Sequence, residues 1–186
     1  MRFQKRTAVL LVLLCALCLF VLPSCSAFSP KDKVSEDMSS RLDAIKEGDT
    51  GSLSVLAEDL DAEEVEGYGL SQDDLLAAYL DGFDYQIEDV SVDGKTASVS
   101  VVFTVKSYSE FISAFSETAF DIPLQDGAED LSDEELYALF GDAILETLSS
   151  TSTGQTESVS FSYTKSDGEW EPDDFEQTIA DALVSL

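Results

Sequence analysis

The stretch Ile87-Glu88-Asp89-Val90-Ser91-Val92-Asp93-Gly94-Lys95-Thr96-Ala97-Ser98-Val99-Ser100-Val101-Val102-Phe103-Thr104-Val105 decides the fold class. Its apolar period is two. Ile87, Val90 and Val92 lead into Asp93-Gly94, and Ala97, Val99, Val101, Phe103 and Val105 then share one face. Ser98, Ser100 and Thr104 occupy the other. Alternation of this kind marks half-buried strands, and Asp-Gly between two such runs marks a hairpin. Val102 interrupts the polar face, which predicts that something covers part of it, or that an apolar patch lies there.

A shorter version recurs near the C-terminus. Val159, Phe161 and Tyr163 alternate, Asp167-Gly168 turns the chain, and Glu169-Trp170-Glu171 returns before Pro172. The rest has helical spacing. Val34, Met38, Leu42 and Ile45 predict a helix over 33–47, stopped at Gly48-Asp49-Thr50-Gly51. Leu53, Leu56 and Leu60 predict a second, short one, and the acidic segment from Glu63 to Gly69 reads as a loop. Ser71 reads as the N-cap of a third helix, with Asp73 and Asp74 favourably placed against its dipole. Leu75, Leu76, Tyr79 and Leu80 form its apolar stripe. Phe111, Phe115 and Ala119 predict a helix from Tyr108 to Phe120, ended by Pro123. After an acidic loop from Gln125 to Asp130, Ser132-Asp133-Glu134-Glu135 is a capping box, with Leu131 and Leu136 as its staple. Leu136, Leu139, Phe140, Ala143 and Ile144 continue that helix. Ser149 to Gly154 reads as a loop, and Asp174 to Val184 as a final helix with Phe175, Ile179 and Leu183 inward. Helices, hairpin, helices, hairpin, helix is an α+β order, with helices packed on a bent antiparallel sheet.

Composition narrows the chemistry. The 186 residues carry 38 acidic and 10 basic side chains, no histidine and a formal net charge of −28. Without histidine, Ser–His–Asp and Cys–His catalysis, histidine metal sites and histidine pH switches are excluded. So few bases argue against nucleic acid as a partner.

Arg2, Lys5 and Arg6 precede the apolar run Ala8–Leu22, which is short for a membrane span and suited to a signal peptide. Leu22-Pro23-Ser24-Cys25 then resembles the lipobox of bacterial lipoproteins, in which the cysteine is lipidated and becomes the mature N-terminus. Leu22, Ser24 and Cys25 match it. This divides the chain into a signal peptide (1–24), a lipidated cysteine and tether (25–33) and a single domain (34–186). The expected address is the extracytoplasmic face of a cell membrane, held through lipid on Cys25. The alternative is a secreted chain cleaved after Ala27. Cys15 and Cys18 fall inside the signal, so the mature domain would have neither a disulfide nor a free thiol.

Two stretches carry a family resemblance: Phe83-Asp84-Tyr85-Gln86-Ile87-Glu88-Asp89-Val90-Ser91-Val92-Asp93-Gly94-Lys95-Thr96-Ala97-Ser98-Val99-Ser100-Val101, and Phe161-Ser162-Tyr163-Thr164-Lys165-Ser166-Asp167-Gly168-Glu169-Trp170. With the N-terminal helices they resemble small bacterial lipoproteins of the NTF2-like, cystatin-like class. The resemblance implies helices in the hollow of a cone-shaped sheet. The helical segment 108–148 between the hairpins is longer than that class usually carries. The class holds enzymes, ligand binders and domains without known activity, so it does not decide function.

Tyr68, Tyr79, Tyr85, Phe103, Tyr163 and Trp170, with Phe161, could line a pocket in the cone, or fill its core. Tyr68, flanked by glycines, is the one most suited to contacting a ligand. The acidic pairs Asp73/Asp74, Asp133/Glu134/Glu135 and Asp173/Asp174 sit at helix starts, where capping accounts for them. Asp59-Leu60-Asp61-Ala62-Glu63-Glu64 opens like a calcium loop but has Glu64 where an EF-hand needs glycine and Leu70 where it needs glutamate. That leaves loose calcium binding at most, and no metal or cofactor is expected. The reading is a non-enzymatic module that binds a small ligand or a protein. The alternative is an NTF2-like enzyme with an aspartate base in the cone.

Overall fold

A computed structural model of the chain describes residues 29–53, 55–56, 62–125 and 127–186. Cys25, the segment read as a signal peptide, Leu60 of the expected second helix and the start of the acidic run at Asp59 lie outside the described residues. The elements in order are α1 (Pro30–Lys46), a 3-10 turn (Thr50–Leu53), α2 (Ala62–Gly67), α3 (Gln72–Leu80), β1 (Asp84–Asp93), β2 (Thr96–Lys106), α4 (Tyr108–Asp121), α5 (Asp133–Ser150), β3 (Thr153–Gln155), β4 (Val159–Ser166), β5 (Glu169–Pro172) and α6 (Phe175–Leu183). The five strands form one antiparallel sheet in the order β1-β2-β4-β5, with β3 also paired to β2. The α+β class read from the strand pattern is the class observed.

The two hairpins turn differently. Asp93 pairs with Thr96, so Gly94 and Lys95 are the central residues, and only Gly94 has positive φ, at 61°. That is the type II′ pattern. Ser166 pairs with Glu169 around Asp167 and Gly168, with φ of 52° and 96°, the type I′ pattern.

β1 carries a bulge between Ile87 and Asp89. Glu88 is the extra residue, and it lets Ile87 and Val90, three apart, lie on the same face. Bulges of this kind bend a strand and raise its twist.

The core lies between the inner sheet face and the helices. α1 contributes Val34, Met38, Leu42 and Ile45, all buried. β2 contributes Val99, Val101 and Phe103, β4 contributes Phe161 and Tyr163, and α6 contributes Phe175, Ile179 and Leu183. The polar face of β2, Val102 included, is only half-covered.

Three sequence expectations change. α1 begins at Pro30, not Lys33. Ser29 caps it in a full capping box with Asp32, and proline suits the first helical position. The presumed acidic loop holds α2, which buries Val65. The presumed Ser/Thr loop holds the end of α5 and then β3, and Thr156 beyond β3 still exchanges hydrogen bonds with Phe103.

Candidate functional site: a helical arm

The aromatic residues proposed as a pocket lining do not converge on one cavity. Phe103 and Tyr163 are fully buried, and Trp170 nearly so. Phe103 stacks on Phe83 at 5.9 Å between ring centroids and meets Phe161 edge-on at 6.1 Å. Tyr163 donates a 2.9 Å hydrogen bond to Asp37 Oδ2, which also takes Arg41 Nε at 2.8 Å. Burial, then the Asp37 charge, raises the Tyr163 phenol above its ordinary range. Lys165 Nζ stands 5.5 Å from the Trp170 ring centroid.

Tyr79 donates at 2.6 Å to the Leu183 carbonyl of α6, and burial pushes its pKa up to about 12. Tyr85 donates at 2.7 Å to Asp43 Oδ1 of α1, and burial, followed by that bond, raises its phenol. These hydroxyls therefore tie helices to one another and to the sheet. The apolar crevice beside Tyr79, open on one side, is lined by Leu56, Leu76, Tyr108, Phe111 and Leu148 and has a volume of about 120 Å³. Sites for small organic ligands run from about 300 Å³ upward.

Tyr68 lies elsewhere. Its ring meets Tyr137 edge-on at 5.7 Å and Phe140 at 6.5 Å, both on α5. It helps to pin a helical arm to the body.

That arm is the 46-residue excursion between Lys106 and Thr153, which are themselves paired across β2 and β3. Its two ends therefore lie side by side. Ser107 caps α4 by accepting from Glu110 N. The Ser107 and Ser109 amides donate to the carbonyls of Ser152 and Leu186, and Ser152 Oγ donates to Glu110. At the far end Ile122 is buried where the turn Ile122–Leu124 packs on α5.

Gly141 sits in the middle of α5. A Cβ there would lie 2.1 Å from the Tyr68 carbonyl oxygen, so the close approach of α5 to Tyr68 requires glycine. No sequence expectation singled out Gly141. Glycine inside a strong helical pattern is the signal that could have found it.

α4 buries none of its fourteen residues. Phe111, Phe115 and Ala119 are partly covered on one side, and Phe111 stacks on Phe115 at 5.9 Å. Ile112 and Phe120, eight residues apart, stand exposed beside that stripe along a shallow groove with Ser116 and Glu117, and Tyr108, four residues before Ile112, is exposed at the groove's end while also lining the crevice beside Tyr79. Phe120 and Leu124 are each 79% exposed. Leu131, Tyr137 and Leu139 are the other large apolar residues of the arm that stand exposed. Among the described residues, Val184 is the one large exposed apolar side chain outside this region.

The arm is also one-sided in charge. From Ser107 to Ser150 the sequence has eleven acidic residues and no lysine or arginine. In the Ser132/Glu135 capping box, hydrogen bonds from the Ser132 backbone and hydroxyl hold Glu135 below the usual carboxylate range. The described residues hold no cluster of three or more side chains suited to a metal ion, and no helix among them is long and apolar enough to cross a membrane.

No family model and no curated protein matches the chain. A solved structure from Bacillus subtilis subsp. subtilis str. 168, described as that of a candidate lipoprotein (ycdA), is similar at 15% identity and a TM-score of 0.46. The match covers 84% of this chain and 50% of that one, so this chain spans about half the length of the protein it matches.

Proposed function

We propose that this chain is a lipid-anchored extracytoplasmic lipoprotein with one NTF2-like domain, and that it works without catalysis by binding a protein through its helical arm. One observation carries the reading. Large exposed apolar residues concentrate between Tyr108 and Leu139, while the aromatics of the sheet interior are buried against one another. A soluble domain does not keep such a patch without a use for it, and partner docking is the usual one. A small ligand in the cone fits less well, because Phe103, Phe161 and Tyr163 fill that space. An aspartate-based enzyme also fits less well, because the Tyr79, Tyr85 and Tyr163 hydroxyls are already committed to structural hydrogen bonds.

Anchoring rests on Leu22, Ser24 and Cys25. With α1 starting at Pro30, the tether from Cys25 to Ser29 reaches at most about 14 Å. The domain would then work close to the bilayer. Cys25→Ser should move the protein from the membrane to the soluble fraction and remove the mass of the lipid. Unchanged mass and partitioning would point to the secreted alternative.

The arm reading is tested by a photo-crosslinking residue placed in cells at Phe120 or, as a control, at the exposed Ser162 on the outer sheet face. A discrete adduct at Phe120 alone is expected. No adduct at Phe120, or equal adducts at both positions, would overturn it.

A further inference from the structure

We infer that the occupant of the exposed α4 face is a cationic amphipathic helix of a partner protein, an inference that rests on the arm being the binding surface.

The shape of the occupant follows from α4 itself. It presents a partly covered stripe, Phe111, Phe115 and Ala119, with Tyr108 at its border, and beside that stripe Ile112 and Phe120 face outward. An apolar surface wider than the stripe that meets α5 has room for a second neighbour, and beyond Ile112 and Phe120 the described residues supply none. Residues spaced by four and eight are the anchors a second helix packs against.

The charge of the occupant follows from the flanks. Glu117 lines the groove, Asp121 is exposed beside Phe120, and no lysine or arginine lies in sequence between Lys106 and Lys165. A second copy of the arm would bring another carboxylate-only surface against this one. An anionic lipid surface would be repelled in the same way. Lysine or arginine flanking an apolar stripe is the complement, with charge pairs at the rim steering encounter and selecting the partner.

The test uses the full chain and two synthetic amphipathic helices of about four turns, one of leucine and lysine, the other of leucine and glutamate. Binding is read by fluorescence anisotropy of the labelled peptide. The lysine helix should bind, the glutamate helix should not, and binding should weaken steadily with added salt. Ile112→Asp/Phe120→Asp should weaken binding by about tenfold or more, since two apolar anchors are lost. Both positions are exposed, so circular dichroism should show unchanged helix content. Glu117→Lys/Asp121→Lys should reverse the preference between the two peptides.

Equal binding of both peptides, or binding indifferent to Ile112→Asp/Phe120→Asp, would overturn the inference. So would a concentration-dependent dimer of the chain, or binding to phosphatidylcholine vesicles, that the same double variant abolishes. A Phe120 crosslink to a partner combined with no binding of the lysine helix would reject the cationic occupant and leave the arm reading standing. Absence of the crosslink would reject the arm reading itself.

Discussion

α6 and α4 are both amphipathic helices, and they end in opposite situations. The nine residues of α6 bury Phe175, Ile179, Ala180, Ala182 and Leu183, while the fourteen residues of α4 bury none. The apolar side chains of α6 meet β2, β4 and the 3-10 turn Thr50–Leu53. Those of α4 meet α5 on one side and solvent on the other. Apolar content selects a helix, but the number of neighbours the topology supplies decides whether its surface is core or contact. The body is held by three-dimensional packing. The arm is held at its neck, at Gly141 and where α5 packs on α3 and buries Ala143 and Leu148, while Ile122 ties its two helices together, and its outer apolar surface remains available.

Truncations on the two sides should differ most. Phe161→Ala removes a fully buried ring and should cost about 3–5 kcal/mol. Phe120→Ala removes an exposed ring and should stay within about 0.5 kcal/mol. Urea midpoints at constant slope measure both. A cost of several kcal/mol for Phe120→Ala would mean that the arm is part of the core and would break the contrast.

Gly141→Ala should come next. Elsewhere in a helix this exchange gains up to about 1 kcal/mol. Here the new methyl would lie 2.1 Å from the Tyr68 carbonyl oxygen, and overpacking of this kind typically costs about 1–3 kcal/mol. The loss should be local. Amide exchange should accelerate in α5 and α2 while β2 and β4 keep their protection. Uniform acceleration would show that arm and body unfold as one unit.

At high pH the body should respond through its buried phenols. Burial raises Tyr79 from 10.0 to about 12 in the folded chain. The folded state therefore holds the proton more tightly than the unfolded one. Its contribution is fully present below pH 10 and is lost as pH rises through about 12. Tyr79→Phe should lower stability at neutral pH by about 1 kcal/mol through the lost bond to Leu183, and flatten the decline above pH 10. An unchanged alkaline slope in chemical denaturation would show that Tyr79 does not set it.

Much of the body was legible in the sequence. Period two with Asp-Gly turns gives both hairpins, and the spacing of Val34, Met38, Leu42 and Ile45 gives α1 and its buried face. The β1 bulge is hidden because Ile87 and Val90 look like imperfect alternation, when they are a register shift. β3 is hidden because Thr153-Gly154-Gln155 has no alternation of its own and is a strand only through its pairing with β2. α2 has one buried apolar residue, Val65, among acids, so its helix depends on burial that a local pattern does not contain. The candidate site was legible only as far as direction. Period places Phe103 and Tyr163 inward. Whether they line a void depends on α1 and α6 arriving from distant sequence to fill it. In α4, Phe111 and Phe115 announce a helix, but the missing neighbour beyond Ile112 and Phe120 is a fact of topology.

The smallest effect separates the regions at low pH. α1 and α5 begin with the same device, a serine whose hydroxyl accepts from the third helical amide while that residue's carboxylate accepts from the serine amide. Hydrogen bonding to Ser29 lowers Asp32 from its ordinary 3.8, and hydrogen bonding to Ser132 lowers Glu135 from its ordinary 4.5. A carboxylate with a lowered folded pKa stabilises the helix above its ordinary value, and that contribution fades as pH falls through the lowered one. Each contribution is therefore complete only above the ordinary value of its carboxyl, 4.5 for Glu135 at α5 and 3.8 for Asp32 at α1, and is lost at some point below it. Both carboxylates are exposed, so neither should move global stability much. Amide chemical shifts during an acid titration should show the first turns of α5 and α1 loosening independently, with Glu135→Gln removing the transition at α5 and leaving that at α1, and Asp32→Asn doing the reverse. If either substitution removes both transitions, the two helices share a single cooperative transition, and the arm's separateness ends at its exposed side chains.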